Sequence, residues 1–153
     1  MWTSLKRAAT GAVEEMKKQI TETIQQKKEE AITKVKEEAA KYMEEANARS
    51  QKLLSDAQKQ ADNIMKSARE SADVIRAEAD KRAEQLVAEG KKKGPIAELA
   101  AKKAAEKVKK EADEKAGKLV NEAQKQSDNV MQSARNESDK LIQEARLKSQ
   151  GNW

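Results

Sequence analysis

In the stretch KLLSDAQKQADNIMKSARESADVI, Lys52 to Ile75, apolar pairs return in a near-perfect beat of eleven residues, at Leu53-Leu54, Ile64-Met65 and Val74-Ile75. The beat runs well beyond this stretch. Large residues fall at Ile20, Tyr42, Leu53, Ile64, Ile75 and Leu86, with Ala31 holding the place between the first two. Their followers include Ile32, Met43, Leu54, Met65 and Val87. Two sets of small residues keep the same beat: Ala46, Ala57, Ala68 and Ala79, and then Ala39, Ser50, Ala61, Ala72 and Ala83. At about 100° per residue the four sets occupy an arc of roughly 100°, which is one apolar stripe on one helix. Eleven residues in three turns is about 3.67 per turn, so helices that follow this stripe run nearly straight or wrap weakly right-handed.

A stripe so rich in Ala fills little volume, and the composition confirms that no thick core is available. Of 153 residues 39% are charged, Phe and His are absent, and the aromatic residues are Trp2, Tyr42 and Trp153. Ala, Glu, Lys, Leu and Arg dominate, as in long helices and coiled coils. No Cys is present, which excludes disulfides, thiol chemistry and cysteine metal sites. No apolar run reaches the length of a membrane span, and residues 1–20 lack the apolar centre of a signal peptide. The compartment stays open: a native Met1 implies the cytoplasm, a trimmed mature chain the cell envelope or periplasm.

The single Pro sits in EGKKKGPIAELA. Gly90 is placed to cap a helix in the left-handed conformation, and Pro95 to start the next one. The expected organisation is an N-terminal segment 1–11, helix 12–89, a turn over 90–94 at Gly90, Gly94 and Pro95, helix 95–149, and a tail 150–153. Gly117 falls inside the second helix at a cost of about 1 kcal/mol relative to Ala. Exposed pairs four apart, such as Glu30 with Lys34 and Glu78 with Arg82, add only a few tenths of a kcal/mol each. Packing must supply the rest.

The second half repeats the first sixty-six residues on. KLLSDAQKQADNIMKSAR (Lys52–Arg69) answers KLVNEAQKQSDNVMQSAR (Lys118–Arg135), and 15 of the 28 positions from 52 to 79 are identical. One helical unit stands duplicated in one chain. Folding the chain back about Lys92 brings layers of like size together: Met65 faces Leu119, Leu53 faces Met131, Tyr42 faces Ile142, and Ala61 faces Ala123. The expected helix–helix seam is therefore Tyr42, Met43, Leu53, Leu54, Ile64, Met65, Ile75 and Leu86 against Leu119, Val120, Val130, Met131, Leu141 and Ile142. Residues 1–30 overhang without an intramolecular partner.

The chain offers little for catalysis. There is no His to act as a base near neutrality and no Cys nucleophile. The carboxylate pairs Glu14-Glu15, Glu29-Glu30, Glu37-Glu38 and Glu44-Glu45 lack the desolvated pocket that would split their acidities, and read as a solvated face. No enzyme, cofactor or metal site is expected. The net charge of +5 is concentrated after residue 90. Lys91, Lys92, Lys93, Lys102, Lys103, Lys107, Lys109 and Lys110 form an anion patch suited to the phosphates of lipid or nucleic acid; the simpler reading is a charged hairpin tip. With no aromatic residue to stack on bases, nucleic acid is the less favoured partner. Trp2 and Trp153 read more simply as terminal residues than as membrane contacts.

The pattern in LLSDAQKQADNIMKSARESAD resembles the right-handed coiled coils of rotary ATPase peripheral stalks, meaning the soluble part of b-type subunits and the helical arms of their E- and G-type partners. The likeness covers roughly residues 30–89 and 96–149 and rests on periodicity. It implies a mechanical role and carries over no residue-level function. The chain departs from that family in having no membrane anchor and in its turn at Gly90–Pro95. Eleven-residue repeats also occur in apolipoproteins and late-embryogenesis-abundant proteins. The expected fold is all-α: a long antiparallel helical hairpin, a coiled coil of eleven-residue periodicity that self-associates or binds a partner helix. The expected function is that of a spacer, stalk or scaffold. The alternative is a reversible lipid-surface binder that lays the same stripe, with its basic patch, on an anionic membrane.

Overall fold

The structure, a computed structural model, describes residues 2–151, with side chains from Thr3 onward. The side chain of Trp2 and the whole of Trp153 lie outside the described residues. The fold is all-α. Helix α1 spans Trp2–Lys93 and helix α2 spans Pro95–Ser149; the two pack against each other as a helical hairpin. They divide into two compact units, unit 1 comprising Met1–Arg49 and Lys140–Trp153, and unit 2 comprising Ser50–Asp139.

Two boundaries differ from expectation. Helix α1 begins at Trp2, not at residue 12, because a lone Gly11 costs only about 1 kcal/mol and does not break the pattern. The turn is Gly94 alone, not 90–94. Gly94 takes φ +119°, a conformation open to Gly and strained for any L side chain. Lys91–Lys93 then form the last turn of α1, where their charges face the negative end of the helix dipole. Pro95 opens α2, and the amide of Glu98 donates to the carbonyl of Gly94 at 2.9 Å to close its first turn. At the far end Gln150 and Gly151 turn out of α2, with Gly151 at φ +79°.

Gly90 is not a cap. It is helical and buried, and it sits where α2 comes close at Ala97, Glu98 and Ala101. A Cβ there would lie 2.5 Å from Ala101 Cβ and 2.9 Å from the Ala97 carbonyl oxygen. Gly117 is helical too, but a Cβ there would meet nothing within 4 Å. The two glycines should therefore respond with opposite signs. Gly90→Ala should lower stability by about 1–2 kcal/mol as the helices are forced apart, even though it improves helix propensity. Gly117→Ala should raise stability by up to about 1 kcal/mol. Chemical denaturation of the two variants beside the parent chain checks both.

In unit 2 the buried residues are nearly all small. Along α1 they are Ser50, Ala57, Ala61, Ala68, Ala72, Ala79 and Ala83; along α2 they are Ala105, Ala116, Ala123, Ser127, Ala134 and Ser138. Spacings of seven and four alternate, apart from one step of eleven between Ala105 and Ala116, where Ala112 is half-buried, and this is the eleven-residue beat itself. Ala72 and Ala116 are the most deeply buried, at 1% and 0% exposure. Met65 is the one large side chain that reaches the core, against Ala68 and Ala123, with Ile64 and Val120 packed on that cluster.

The register is set by a polar pair. The hydroxyls of Ser50 and Ser138 are hydrogen-bonded to each other in the buried seam. Their numbers add to 188, which places the fold-back at Gly94 and not at Lys92. The same register sets Ala61 opposite Ser127, Ala72 opposite Ala116 and Ala83 opposite Ala105. The other small set pairs one step along: Ala68 packs with Ala123, and the Gly90 backbone meets Ala101. Arg76 Nε donates to Asp113 Oδ1 at 3.2 Å in keeping with this. The expected facing pairs, Ala61 with Ala123 among them, are thus displaced by four residues. The physical reason is that α1 continues through Gly90 to Lys93, so only one residue makes the reversal.

Unit 1 packs only at one end. Ala46 and Ala145 are buried, and Met43, Leu141 and Ile142 are half-buried. Lys148 Nζ lies 5.8 Å from the centroid of the Tyr42 ring, a cation–π contact. From Thr3 to Glu38 every residue is exposed. The hydroxyls of Thr10, Thr21, Thr23 and Thr33 turn back to donate to carbonyls four residues earlier, which satisfies them within α1 alone.

Candidate interaction surface

Small residues down the middle of the seam let the two backbones approach closely, and this governs where the large residues go. At about 98° per residue the small sets lie at the centre of the stripe and the large sets on its two margins. In an antiparallel pair each margin of α1 stands beside the matching margin of α2. Large side chains therefore border the seam and do not fill it.

In unit 2 the expected seam residues Leu53, Leu54, Ile64, Ile75, Leu86, Leu119, Val120, Val130 and Met131 are all half-buried, and only Met65 is buried. In unit 1 Met43, Leu141 and Ile142 are half-buried, and Tyr42 is 37% exposed. The structure thus brings the predicted residues to the helix–helix interface but gives its floor to Ala and Ser. Leu53 and Val130 border an open groove over Ala57 and Ala134. Ile64 and Leu119 border the next, over Ala68 and Ala123. The rims of these grooves carry Asp56, Lys59, Gln60, Asn63, Gln126 and Asn129. This is an apolar floor with a mixed polar rim, a form suited to another helix.

The opposite margin is less uniform. Arg76 and Lys109 stand there on the eleven-residue beat, where Leu54, Met65, Val120 and Met131 stand elsewhere. Lys109 lines a groove with Ala83, Val87 and Ala105. The first margin, through Leu53, Ile64, Ile75, Leu86, Val108, Leu119 and Val130, carries no charge on the beat.

Among the described residues, the Ser50–Ser138 pair is the one buried side-chain hydrogen bond that joins the helices. Removing one hydroxyl strands the other in an apolar seam, whereas removing both leaves two Ala like their neighbours. Ser50→Ala and Ser138→Ala should each cost about 1 kcal/mol, less if the orphan turns back to its own helix. The double variant should be close to the parent chain or above it. A double-mutant cycle by denaturant melts measures this coupling directly.

All eight lysines of the anion patch are exposed. They do not form one cluster. Lys91, Lys92 and Lys93 are on the last turn of α1, while the rest are distributed around α2. Lys102 Nζ pairs with Glu98 at 3.6 Å. Lys103, Lys107 and Lys110 share the outward face of α2, at helical spacings from Leu99 and Ile96. Those two apolar residues were missed by the sequence reading. Ile96 is 86% exposed and Leu99 is 61% exposed.

Among the described residues no group of acidic side chains is arranged to hold a metal ion, and no helix is long and apolar enough to cross a membrane. No family model, curated protein or solved structure matches the chain.

Proposed function

We propose that this chain is a non-enzymatic architectural element, a spacer or scaffold helix pair, which recruits a further helix from a second copy or a partner onto the margin of its seam. The observation that carries this reading is the division of labour in the stripe. Ala and Ser close the hairpin, while Leu53, Ile64, Leu119 and Val130 are left half-exposed in a row beside open grooves. Half-burial forfeits much of the roughly 2 kcal/mol that each such side chain contributes when fully buried. A third helix laid in the grooves would recover it. Knobs at eleven-residue spacing match a partner of the same periodicity, and a second copy has that periodicity. The resemblance to peripheral-stalk helices points to the same class of role.

The chain has neither His nor Cys, and its carboxylates lie on exposed helix faces. Sedimentation equilibrium across the micromolar range tests the reading. The expected result is a mass above that of one chain, at full helicity. A monomer at about 100 µM, which shows no gain in helicity or melting temperature when incubated with helical partners of eleven-residue repeat, would remove the basis for it.

A further inference from the structure

We propose that the tip of the hairpin docks on the surface of an anionic lipid bilayer, with Ile96 and Leu99 entering the boundary between headgroups and acyl chains. This is a different surface from the stripe. The small residues of the stripe are buried between the helices, whereas Ile96 and Leu99 point away from them. Two independent features meet at the tip. One is apolar: Ile96 and Leu99 are 86% and 61% exposed in the first turns of α2, directly after Gly94 and Pro95. The other is electrostatic. Lys103, Lys107 and Lys110 continue the same outward face one to four turns behind the apolar pair, and Lys91–Lys93 crown the end of α1 beside it.

The order of these residues along the helix suits a bilayer. Apolar side chains stand at the extremity, where they reach deepest; Lys103 stands one turn behind Leu99 at the level of the headgroup phosphates, and Lys107 and Lys110, about 12 and 17 Å back on the same face, are drawn by the anionic surface potential. Long aliphatic stems let those lysines lie along the apolar surface while the ammonium groups stay wet. Glu98 is already paired with Lys102 at 3.6 Å; Glu106, exposed among Lys103, Lys107 and Lys110, offsets one of their three charges, and with Lys91–Lys93 the tip keeps a clear positive excess. Lys91–Lys93 have a structural task at the end of α1, but Lys103, Lys107 and Lys110 have none there. An acidic protein would use the lysines and leave Ile96 and Leu99 in water. A nucleic acid would do the same, with no aromatic side chain to stack on. Two aliphatic side chains make a small anchor, so binding is weak and reversible, half-complete at roughly millimolar lipid.

The absence of Cys makes the test clean. Ile96→Cys and, separately, Val74→Cys (55% exposed in the parent chain) are labelled in the full chain with a polarity-sensitive dye. Each is titrated with vesicles of phosphatidylcholine, alone and with roughly 30 mol% phosphatidylserine. The expected result is a blue shift at position 96 with the anionic vesicles only. Leu99→Asp should raise the lipid needed by about fivefold or more. Replacing Lys103, Lys107 and Lys110 together by Gln should do the same and flatten the salt dependence. All these positions are exposed, so helicity and melting temperature should hold and show that the variants fold. Absence of a shift at position 96, an equal shift with neutral vesicles, or a larger shift at position 74 than at 96 would overturn the proposal. So would a shift given by a polyanionic peptide but not by vesicles.

Discussion

Replacing Ala116 by Leu is expected to destabilise the hairpin more than truncating any large seam residue. Ala116 has 0% exposure and stands opposite Ala72, at 1%. The seam has no space there for three more heavy atoms, and neither backbone can yield without opening the neighbouring small layers. Overpacking of a tight interior costs about 1–3 kcal/mol and sometimes more; here about 3 kcal/mol is expected. The melting temperature should fall by about 6–12 °C. Ile64→Ala is the contrast. Ile64 is half-buried at the margin, so truncation should cost only about 1 kcal/mol, well below the range for a fully buried Ile. Thermal melts of both variants at low concentration, where association does not contribute, decide the order. The reverse order would mean that the large residues, not the small ones, form the floor of the seam.

A second large effect is expected on association. Ile64 and Leu119 border one groove over Ala68 and Ala123. Changing both to Asp would place two carboxylates in any interface formed there, with Lys59 the one cation lining the groove and unable to compensate both. Uncompensated burial of charge is costly enough to abolish such a contact. Association should weaken by more than about a hundredfold in Kd, or roughly 3 kcal/mol. Because both positions keep access to water in the hairpin, most helicity should survive at low concentration. Arg76 and Asp113 are already paired and exposed on unit 2, so Arg76→Gln should leave association nearly unchanged. Sedimentation equilibrium on the three proteins separates these outcomes.

Much of this architecture could be read from the residues. The eleven-residue beat identified both helices and the seam-facing positions, and Pro95 marked the start of α2. The end of α1 was misplaced because two glycines compete for the cap. Gly90 is the first one met, and a rule about caps stops there. Counting settles it differently: Gly90 follows Ala79 by eleven, and so belongs to the small set that faces α2. Gly94 likewise follows Ala83 by eleven and ends that series. The register was ambiguous for a related reason. Sliding α2 by four residues carries one small set onto the other, so size matching alone accepts both alignments. What distinguishes them is the number of residues in the turn, together with a specific pair such as Ser50 with Ser138.

The tip was hidden for another reason. Apolar residues just after a Pro look like the first buried turn of a helix. Ile96 and Leu99 fall off the beat of Ala101 and Ala105, and only that offset places them outward. The residues before Ala39 were expected to lack an intramolecular partner through residue 30; exposure in fact continues to Glu38. Leu5, Val13, Met16, Ile20 and Ile24 stand 51–69% exposed there. On α1 at those places in the beat, Val13, Ile24 and Val35 replace the Ala that allows close approach further on.

The chain closes upon itself along a small-residue seam in one register, and a cross-link tests this directly. Ser50→Cys and Ser138→Cys would be the only thiols in the molecule, at positions whose native hydroxyls are hydrogen-bonded across the seam. At that approach a disulfide needs little backbone movement. Mild oxidation at low micromolar concentration should give an intramolecular bond in nearly every chain, with monomer mass under denaturing conditions and undiminished helicity. Ser50→Cys with Ser127→Cys, displaced by one full repeat, should remain reduced. Cross-linking of the displaced pair, or dimers linked between chains in place of the internal bond, would contradict the account.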